Sequence, residues 1–216
     1  MEFLCFVLSL ALSRTLRSQP ARGSLVLASP TLSSLDGYDL FIPEWEVQVT
    51  PESKPITLNG TIEEVHAELL RLNPNWDEDF PDTEVENALV ERDTDFHLEK
   101  RTDFTESKYN CFGRWGRVRS TTINSGISYL RKVSGKPGNG AGPGNCGRVS
   151  CSYRAAIYWC NDSKKPKQLN SYGSIADGAK YIAAKCVIGP GGINQYTAGQ
   201  VFHKSDWNVI VREDSC

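Results

Sequence analysis

The sequence predicts an α+β fold: an antiparallel sheet covered on one face by two helices, an α/β sandwich stabilised by disulfides. Six of the seven cysteines lie after residue 101, and an even number of cysteines in a short segment is typical of a disulfide framework. Two segments of this part carry apolar residues at helical spacing, and others have the alternation of strands. Their order, strand–helix–strand–helix–strand–strand, favours helices on one side of an antiparallel sheet.

Two strands are predicted in the first half of this part. The first covers residues 108–115. The second, residues 153–160, alternates apolar and other side chains and is expected to lie at the centre of the sheet. A glycine-rich loop over residues 135–147 precedes it, and a lysine-containing turn over residues 161–170 follows it.

The last two strands are predicted to form a hairpin. Residues 199–203 and 207–212 are separated by three residues, a length that suits a hairpin loop. If His203 pairs with Trp207, then Val201 faces Val209 and one side of the hairpin is apolar.

Both helices are predicted from apolar stripes. In residues 121–132 the stripe begins at Ile123, and in residues 174–186 it begins at Ile175. Ser174 is a candidate N-cap for the second helix.

The chain begins with a predicted signal peptide. Residues 3–12 are an apolar run, too short for a bilayer span of about 20 residues. Small residues follow where a signal peptidase would cut, although no basic residue precedes the run. We therefore expect residues 1–13 to be removed and the protein to be secreted and extracellular.

Charge divides the rest of the chain. Residues 14–101 contain 8 basic and 18 acidic residues, a balance of −10, whereas residues 102–216 contain 16 and 7, a balance of +9. The first part is predicted to hold one helix near residues 61–72, which a capping box opens at Thr61-Ile-Glu-Glu64, and otherwise to be largely disordered.

A dibasic pair, Lys100-Arg101, stands where both the charge and the cysteine usage change. It resembles the site cut by kexin-type proteases of the fungal secretory pathway. Residues 14–101 are thus interpreted as an acidic pro-region and residues 102–216 as the mature, basic, cysteine-rich domain. The pro-region either masks the basic domain or serves as a spacer, and the sequence leaves both open.

The sequence leaves one alternative in which the protein is an enzyme. His203 is the one histidine of residues 102–216, and it could work with Glu213 in a small ribonuclease-type hydrolase. The hairpin pairing instead favours a packed histidine. No metal or cofactor is predicted, since no His or acid lies at ligand spacing beside the cysteines. A cell-wall-associated structural protein is a third interpretation.

Two groups of basic residues are the candidate binding residues, and a basic domain is attracted to anionic surfaces. The expected partners are an anionic cell surface, a membrane protein or a wall polysaccharide, besides the processing protease. No stable nucleic-acid partner is expected, and the protein is expected to be a monomer. The two groups are Arg114, Arg117 and Arg119, and Lys164, Lys165 and Lys167.

Two glycosylation sequons occur, Asn59-Gly-Thr61 and Asn161-Asp-Ser163. The second follows Cys160 in a predicted turn, so we expect it to be accessible to glycosylation. Only this one remains after removal of the pro-region.

Several of these features together resemble a known family. The match extends over about residues 109–216 and rests on order and spacing: Tyr109-Asn110-Cys111 at the start, a helix that runs into Cys186, and a Gly199-Gln200-Val201…Trp207-Asn208-Val209 hairpin before Cys216. With a signal and a kexin-like site ahead of it, this part is similar to the killer toxins of smut fungi and to related cysteine-rich secreted effectors of filamentous fungi.

The resemblance implies a small, non-enzymatic α/β sandwich that acts on target cells from outside, in some members by interfering with ion channels. It also implies a bridge between Cys111 and Cys186, and it leaves three pairings for Cys146, Cys151, Cys160 and Cys216. This chain differs from the toxins in having fewer cysteines and a long acidic pro-region, so no toxin residue is assigned to it.

Overall fold

A computed structural model describes residue 35, residues 37–81 and residues 101–216. The predicted signal peptide, residues 1–13, and Lys100 lie outside these residues. In chain order the strands are β1 Asp39–Phe41, β2 Glu44–Val47, β3 Ile56–Asn59, β4 Lys108–Cys111, β5 Val118–Arg119, β6 Gly138–Asn139, β7 Asn145–Ser152, β8 Ala155–Asn161, β9 Lys167–Gln168, β10 Val187–Ile188, β11 Tyr196–Thr197, β12 Gly199–His203 and β13 Trp207–Glu213. The helices are α1 Ile62–Leu72, α2 Trp76–Asp79, α3 Ser120–Lys132 and α4 Gly173–Lys185, with a short 3-10 helix at Gly192–Asn194.

The main sheet has six strands in the order β1-β7-β8-β13-β12-β4. All neighbours are antiparallel except β1 and β7. The predicted hairpin register is confirmed, because His203 lies opposite Trp207 and Val201 opposite Val209. Three smaller sheets pair β2 with β3, β6 with β9, and β11 with both β5 and β10.

The central strand differs from its predicted bounds. It begins at Ala155 because Tyr153 and Arg154 form the turn that joins β7 to β8, both with positive φ. Strand β7 occupies the end of the predicted glycine-rich loop. Its residues do not alternate in hydrophobicity, since both of its faces are covered over most of its length.

The predicted mixture of helices, strands and disulfides is confirmed, whereas the cover of two helices is not. Alternate residues of β8, β12 and β13 form one hydrophobic core with apolar residues of α1, α3 and α4. Helix α1 contacts both β7 and α3. Three helices therefore pack with the sheet, and one of them comes from the acidic part of the chain.

Residues 37–81 are folded, and the expectation of disorder outside residues 61–72 is wrong for them. The predicted helix is present as α1 with its capping box, but three strands precede it. In β2 the buried Trp45 and Val47 alternate with exposed glutamates. This strand pattern is short, and the acidic composition around it obscures it.

The N-terminal part shares its core with the cysteine-rich part. Trp45 is fully buried and stacks on Tyr172, with ring centroids 4.3 Å apart. Ile62, Val65 and Leu69 of α1 belong to the same hydrophobic core as α3 and α4. The compositional division at residue 101 is thus not a division of the core.

Three disulfides lie within the cysteine-rich part. Cys111 is joined to Cys186, the pairing that the resemblance implies. The remaining bridges are Cys146–Cys160, across the β7–β8 pair, and Cys151–Cys216. The central strand is therefore bridged to its neighbour at Cys160, and its other end is held by strand pairing.

Replacing Trp45 by alanine tests the shared core. We expect Trp45→Ala to lower the free energy of unfolding of the whole chain by about 3–5 kcal/mol, because a fully buried indole is removed. Urea unfolding followed by far-UV circular dichroism measures this change. Ile56→Ala on the partner strand β3 is the control, since Ile56 is exposed. An unchanged midpoint for Trp45→Ala would show that residues 37–81 do not support the fold.

Candidate functional site

The two groups of basic residues lie at opposite ends of the main sheet. Arg114, Arg117 and Arg119 follow the end of β4, where Cys111 is paired with Gly199. The lysines follow the end of β8, where Asn161 is paired with Trp207 at the far end of the same hairpin. The predicted groups are therefore separate sites.

Two arginines lie over the ring of one tryptophan. The guanidinium of Arg114 lies 4.4 Å from the centre of the Trp115 ring, and that of Arg212 lies 5.8 Å from it. Arg114 is also 5.6 Å from the Tyr38 ring. These cation–π contacts hold the two guanidinium groups over aromatic rings and so fix their orientation.

Backbone hydrogen bonds bring further arginines to this end. The amide of Glu213 donates to the carbonyl of Gly116 over 2.9 Å, and the amide of Asp214 donates to the carbonyl of Arg154 over 3.2 Å. The segment after β4, the end of β13 and the β7–β8 turn are thus adjacent. We call their five arginines the arginine cluster: Arg114, Arg117, Arg119, Arg154 and Arg212.

Four members of the arginine cluster are exposed, and Arg212 is half-buried. Arg154 pairs with Glu213 over 2.7 Å, and Arg117 lies 5.2 Å from the Tyr196 ring. Among the residues that the structure describes, Glu213 is the one half-exposed carboxylate that these contacts place within the cluster, since Asp214 is buried. Positive charge therefore predominates at this surface.

The β7–β8 turn has an unusual conformation for its sequence. Both Tyr153 and Arg154 adopt positive φ, at 46° and 64°, as a two-residue hairpin turn requires, and such turns strongly favour Asn-Gly. The side chain of Tyr153 is nonetheless 92% exposed. Folding alone would favour other residues here, so an exposed Tyr-Arg pair in this turn indicates a contact surface.

The lysine end is more nearly balanced in charge. Asp162 and Asp206 lie among its lysines, and both oxygens of Asp162 accept hydrogen bonds from the amide of Asn208. Burial raises the pKa of the Asp162 carboxyl above its ordinary value, and the charge of Asp206 acts in the same direction. Lys164 and Lys165 are exposed and Lys167 is half-buried. The arginine end is therefore the stronger candidate for binding anions.

The structure does not form the alternative catalytic pair. His203 lies at the hairpin end of β12, opposite Trp207, whereas Glu213 lies six residues further along β13, or about 20 Å away. The His203 ring packs on Trp207 with centroids 4.9 Å apart, and its Nδ1 is 2.8 Å from the hydroxyl of Ser205. Glu213 pairs instead with Arg154. The prediction of His203 and Glu213 as an acid–base pair is wrong.

A cleft of about 330 Å³ lies next to the β7–β8 turn, lined by Glu63, His66, Tyr129, Tyr153 and several hydroxyl groups. The Glu63 carboxylate accepts hydrogen bonds from the Ser150 hydroxyl and the Cys151 amide. His66 Nε2 is 2.9 Å from a carboxylate oxygen of Asp77. The Glu63 and His66 side chains of the cleft are thus both engaged by structural partners.

Asp77 connects the cleft to the helices. Burial by itself raises the pKa of the Asp77 carboxyl, but hydrogen bonds from Lys132 and His66, together with their charges, outweigh it. The pKa of Asp77 therefore lies below its ordinary value. The charged carboxylate holds Lys132 at 2.8 Å and ties α2 to α3.

The two sequons have different environments. Asn161 is fully buried, and its side-chain amide donates to the carbonyls of Gly140 and Lys165, each over 2.7 Å. A glycan on this amide would have no room, so the prediction of Asn161 as a glycosylation site is wrong for the folded protein. Asn59 is exposed at the end of β3 and stays a predicted site.

No protein-family model, curated protein or solved structure matches this chain. Within residues 37–81 and 101–216, none of the helices combines the length and the apolar character that a membrane span needs. In that same part of the chain, no group of three or more His, Cys, Asp or Glu side chains is placed to hold a metal ion.

Sequence reasoning found the arginines that follow β4 because they are close together in the chain. It missed Arg154 and Arg212, which reach the cluster through strand pairing. The correctly predicted hairpin places Arg212 at the Gly199 end of the sheet. Arg154 reaches the cluster because β8 lies beside β13 in the sheet. No pattern in the sequence predicts that these two strands are neighbours.

The buried amide of Asn161 can be tested by mass spectrometry. We expect no glycan at Asn161 in protein purified from a eukaryotic host. We expect Asn161→Ala to lower the free energy of unfolding by about 1–3 kcal/mol, because the hydrogen bonds from the buried amide to two carbonyls are lost. Ser163→Ala is the matched control, since it removes the same sequon and leaves the amide in place. A mass shift on enzymatic deglycosylation that Ser163→Ala abolishes would contradict the assignment.

The packing of His203 predicts a pH dependence. Burial, followed by the charges of Lys204 and Lys167, lowers the pKa of His203 below its ordinary value of 6.5. As the pH falls through 6.5 the unfolded chain takes up the proton first, so His203 destabilises the fold below that pH and has no such effect well above it. We expect His203→Gln to lose less stability than the wild type between pH 7 and pH 5, measured by urea midpoints. Equal losses would show that the imidazole titrates normally.

Proposed function

We propose that this chain is a secreted, proteolytically processed, cysteine-rich protein that acts outside the cell by binding. It would act as a killer-toxin-like protein or as an effector directed at a host or competitor. Three disulfides in the cysteine-rich part suit an oxidising compartment such as the extracellular space. The signal peptide, the cut after Arg101 and a glycan on Asn59 belong to this proposal.

The observation that carries the proposal is the arginine cluster, of which Arg114 and Arg212 lie over the Trp115 ring. Guanidinium groups pair with phosphate and carboxylate through two parallel hydrogen bonds, and they are less strongly hydrated than ammonium groups. Five of them at one end of the sheet, beside the exposed Tyr153, suit a partner that presents many anionic groups. We therefore propose an anionic cell surface as the partner, with phospholipid headgroups as the anionic groups.

Tyr153 would add an aromatic contact to this surface. A tyrosine has an apolar ring with a polar end, which suits the boundary between headgroups and acyl chains. It extends from a turn that two adjacent positive φ angles define. The turn thus holds the ring outward, where it is 92% exposed.

Removing equal charge from each end of the sheet tests the proposal. We expect Arg114→Gln with Arg117→Gln to weaken binding to phosphatidylserine-containing vesicles by about 2 kcal/mol, on the order of 30-fold, from about 1 kcal/mol for each basic residue near an anionic surface. Lys164→Gln with Lys165→Gln is the matched control, with the same change in net charge at the opposite end. We expect it to change binding by less than about threefold.

Vesicle sedimentation at two salt concentrations measures both effects, because a contact between exposed charges weakens as salt rises. Purified protein added to susceptible cells supplies the functional measurement, and the arginine variant should inhibit growth less than the lysine variant. Equal losses from both ends, or no binding of the wild type to anionic vesicles, would refute the assignment of the arginine cluster.

A further inference from the structure

The proposed cut after Arg101 separates two parts of one hydrophobic core. Trp45 and Val47 of β2 and Ile62, Val65 and Leu69 of α1 precede the cut, and all five are buried. They belong to a single cluster with buried residues of α3, α4, β8 and β13. Release of residues 37–81 would therefore expose both sides of this core to water.

Backbone contacts cross the same boundary. Strand β1 pairs with β7 in parallel, from Asp39 beside Asn145 to Phe41 beside Gly147. The Asp39 amide donates to the carbonyl of Gly144 over 2.9 Å. The N-terminal part thus supplies an edge strand of the main sheet.

Polar side chains add contacts in the interior of this interface. The Cys151 amide donates to Glu63 over 2.9 Å, and the Ser150 hydroxyl donates to the other oxygen of the same carboxylate. The half-exposed Asp77 of α2 also accepts a hydrogen bond from Lys132 of α3 over 2.8 Å. A separated N-terminal part would leave these groups without their partners, which opposes its release.

Thr102, the first residue after the cut, is already held by hydrogen bonds in the uncut chain. The amide of Thr102 donates to Asp177 over 2.7 Å, and its hydroxyl donates to that of Ser174 over 2.9 Å. Two residues later, Phe104 is buried with its ring edge-on to Trp207. Asp177 also pairs with Arg131 over 2.8 Å, and both side chains are at most 10% exposed.

Hydrolysis of the Arg101–Thr102 bond consumes one water molecule. The hydroxyl goes to the carbonyl carbon of Arg101, which becomes a carboxylate, and the nitrogen of Thr102 becomes an ammonium group. That ammonium is formed at hydrogen-bond distance from the Asp177 carboxylate, so an ion pair replaces a neutral donor without movement of the chain. The cut therefore removes no contact on this side.

We infer that cleavage after Arg101 produces a two-chain protein, in which residues 37–81 stay bound to residues 102–216 as a non-covalent subunit. The link is non-covalent because the six cysteines from Cys111 to Cys216 are all paired with one another. The inference rests on the processing in the proposed function. It replaces removal of the pro-region with retention of its folded part.

A controlled cut tests retention independently of cellular processing. Leu98→Ile together with Lys100→Gly gives the tetrapeptide that coagulation factor Xa cleaves directly before Thr102, and it removes the dibasic pair. The full chain carrying both substitutions is purified and cut to completion, as denaturing electrophoresis verifies. We expect native mass spectrometry and size-exclusion chromatography to show one species, heavier than the uncut chain by one water molecule. Two separately eluting fragments would overturn the inference.

Two substitutions in α1 locate the interaction within the cut protein. Glu63→Ala should raise the rate of subunit dissociation about tenfold or more, since Glu63 bonds across the interface. Glu68→Ala is the matched control, because Glu68 pairs within the helix with Arg71 at the surface, and we expect less than a twofold change. Equal rates for the two variants would overturn the role of Glu63, whatever the result for the parent.

Analysis of the protein that cells release tests cleavage after Arg101 separately from retention of residues 37–81. A wild-type protein that is secreted with the Arg101–Thr102 bond intact would refute processing, while the factor Xa experiment would still decide retention. A secreted species that begins at Thr102 and lacks residues 37–81 would confirm processing and refute retention.

Discussion

Trp45 lies flat on Tyr172, and this contact joins two parts of the chain that composition separates. The indole comes from the acidic part, and the phenol comes from the segment that leads into α4. Tyr172 also donates its hydroxyl to the carbonyl of Glu44 over 3.1 Å, and burial raises its pKa above the ordinary value. The position of α4, and of the strands that it packs on, therefore depends on residues that the predicted processing site would place in the pro-region.

The main sheet sets the geometry of the candidate binding surface. Because its strands run the full distance between the two basic groups, the arginines and the lysines form two separate surfaces. Disulfides fix both arrangements, since Cys111–Cys186 lies near the arginine end and Cys146–Cys160 near the lysine end. The two ends differ in their accessible carboxylates, since Asp162 and Asp206 both reach the surface among the lysines whereas Asp214 at the arginine end is buried.

The parts of the fold that were predicted correctly are those that local periodicity determines. The β12–β13 hairpin has alternating residues and a short loop, so its register follows from neighbours in the chain. Helices α1, α3 and α4 have apolar stripes of helical period. Each of these elements could be predicted without knowing what packs against it.

The remaining features depend on contacts between distant residues. Strand β7 lacks alternation because both of its faces are covered, and β2 has only two buried residues to indicate a strand. Arg154 and Arg212 join the arginine cluster through the order of β8 and β13. Asn161 has the sequence of a surface sequon, but the carbonyls of Gly140 and Lys165 enclose it. None of these partners is adjacent in sequence.

Because the two parts share one core, the kinetics of folding depend on whether the chain has been cut. In the intact chain, residues 37–81 are tethered to their partner at an effective concentration in the millimolar range, so folding is a first-order process. After a cut at Arg101 the same assembly is second-order, and at nanomolar concentration a molecule that unfolds would lose its other half by diffusion. Cleavage would thus convert a reversible fold into one whose lifetime is set by its unfolding rate.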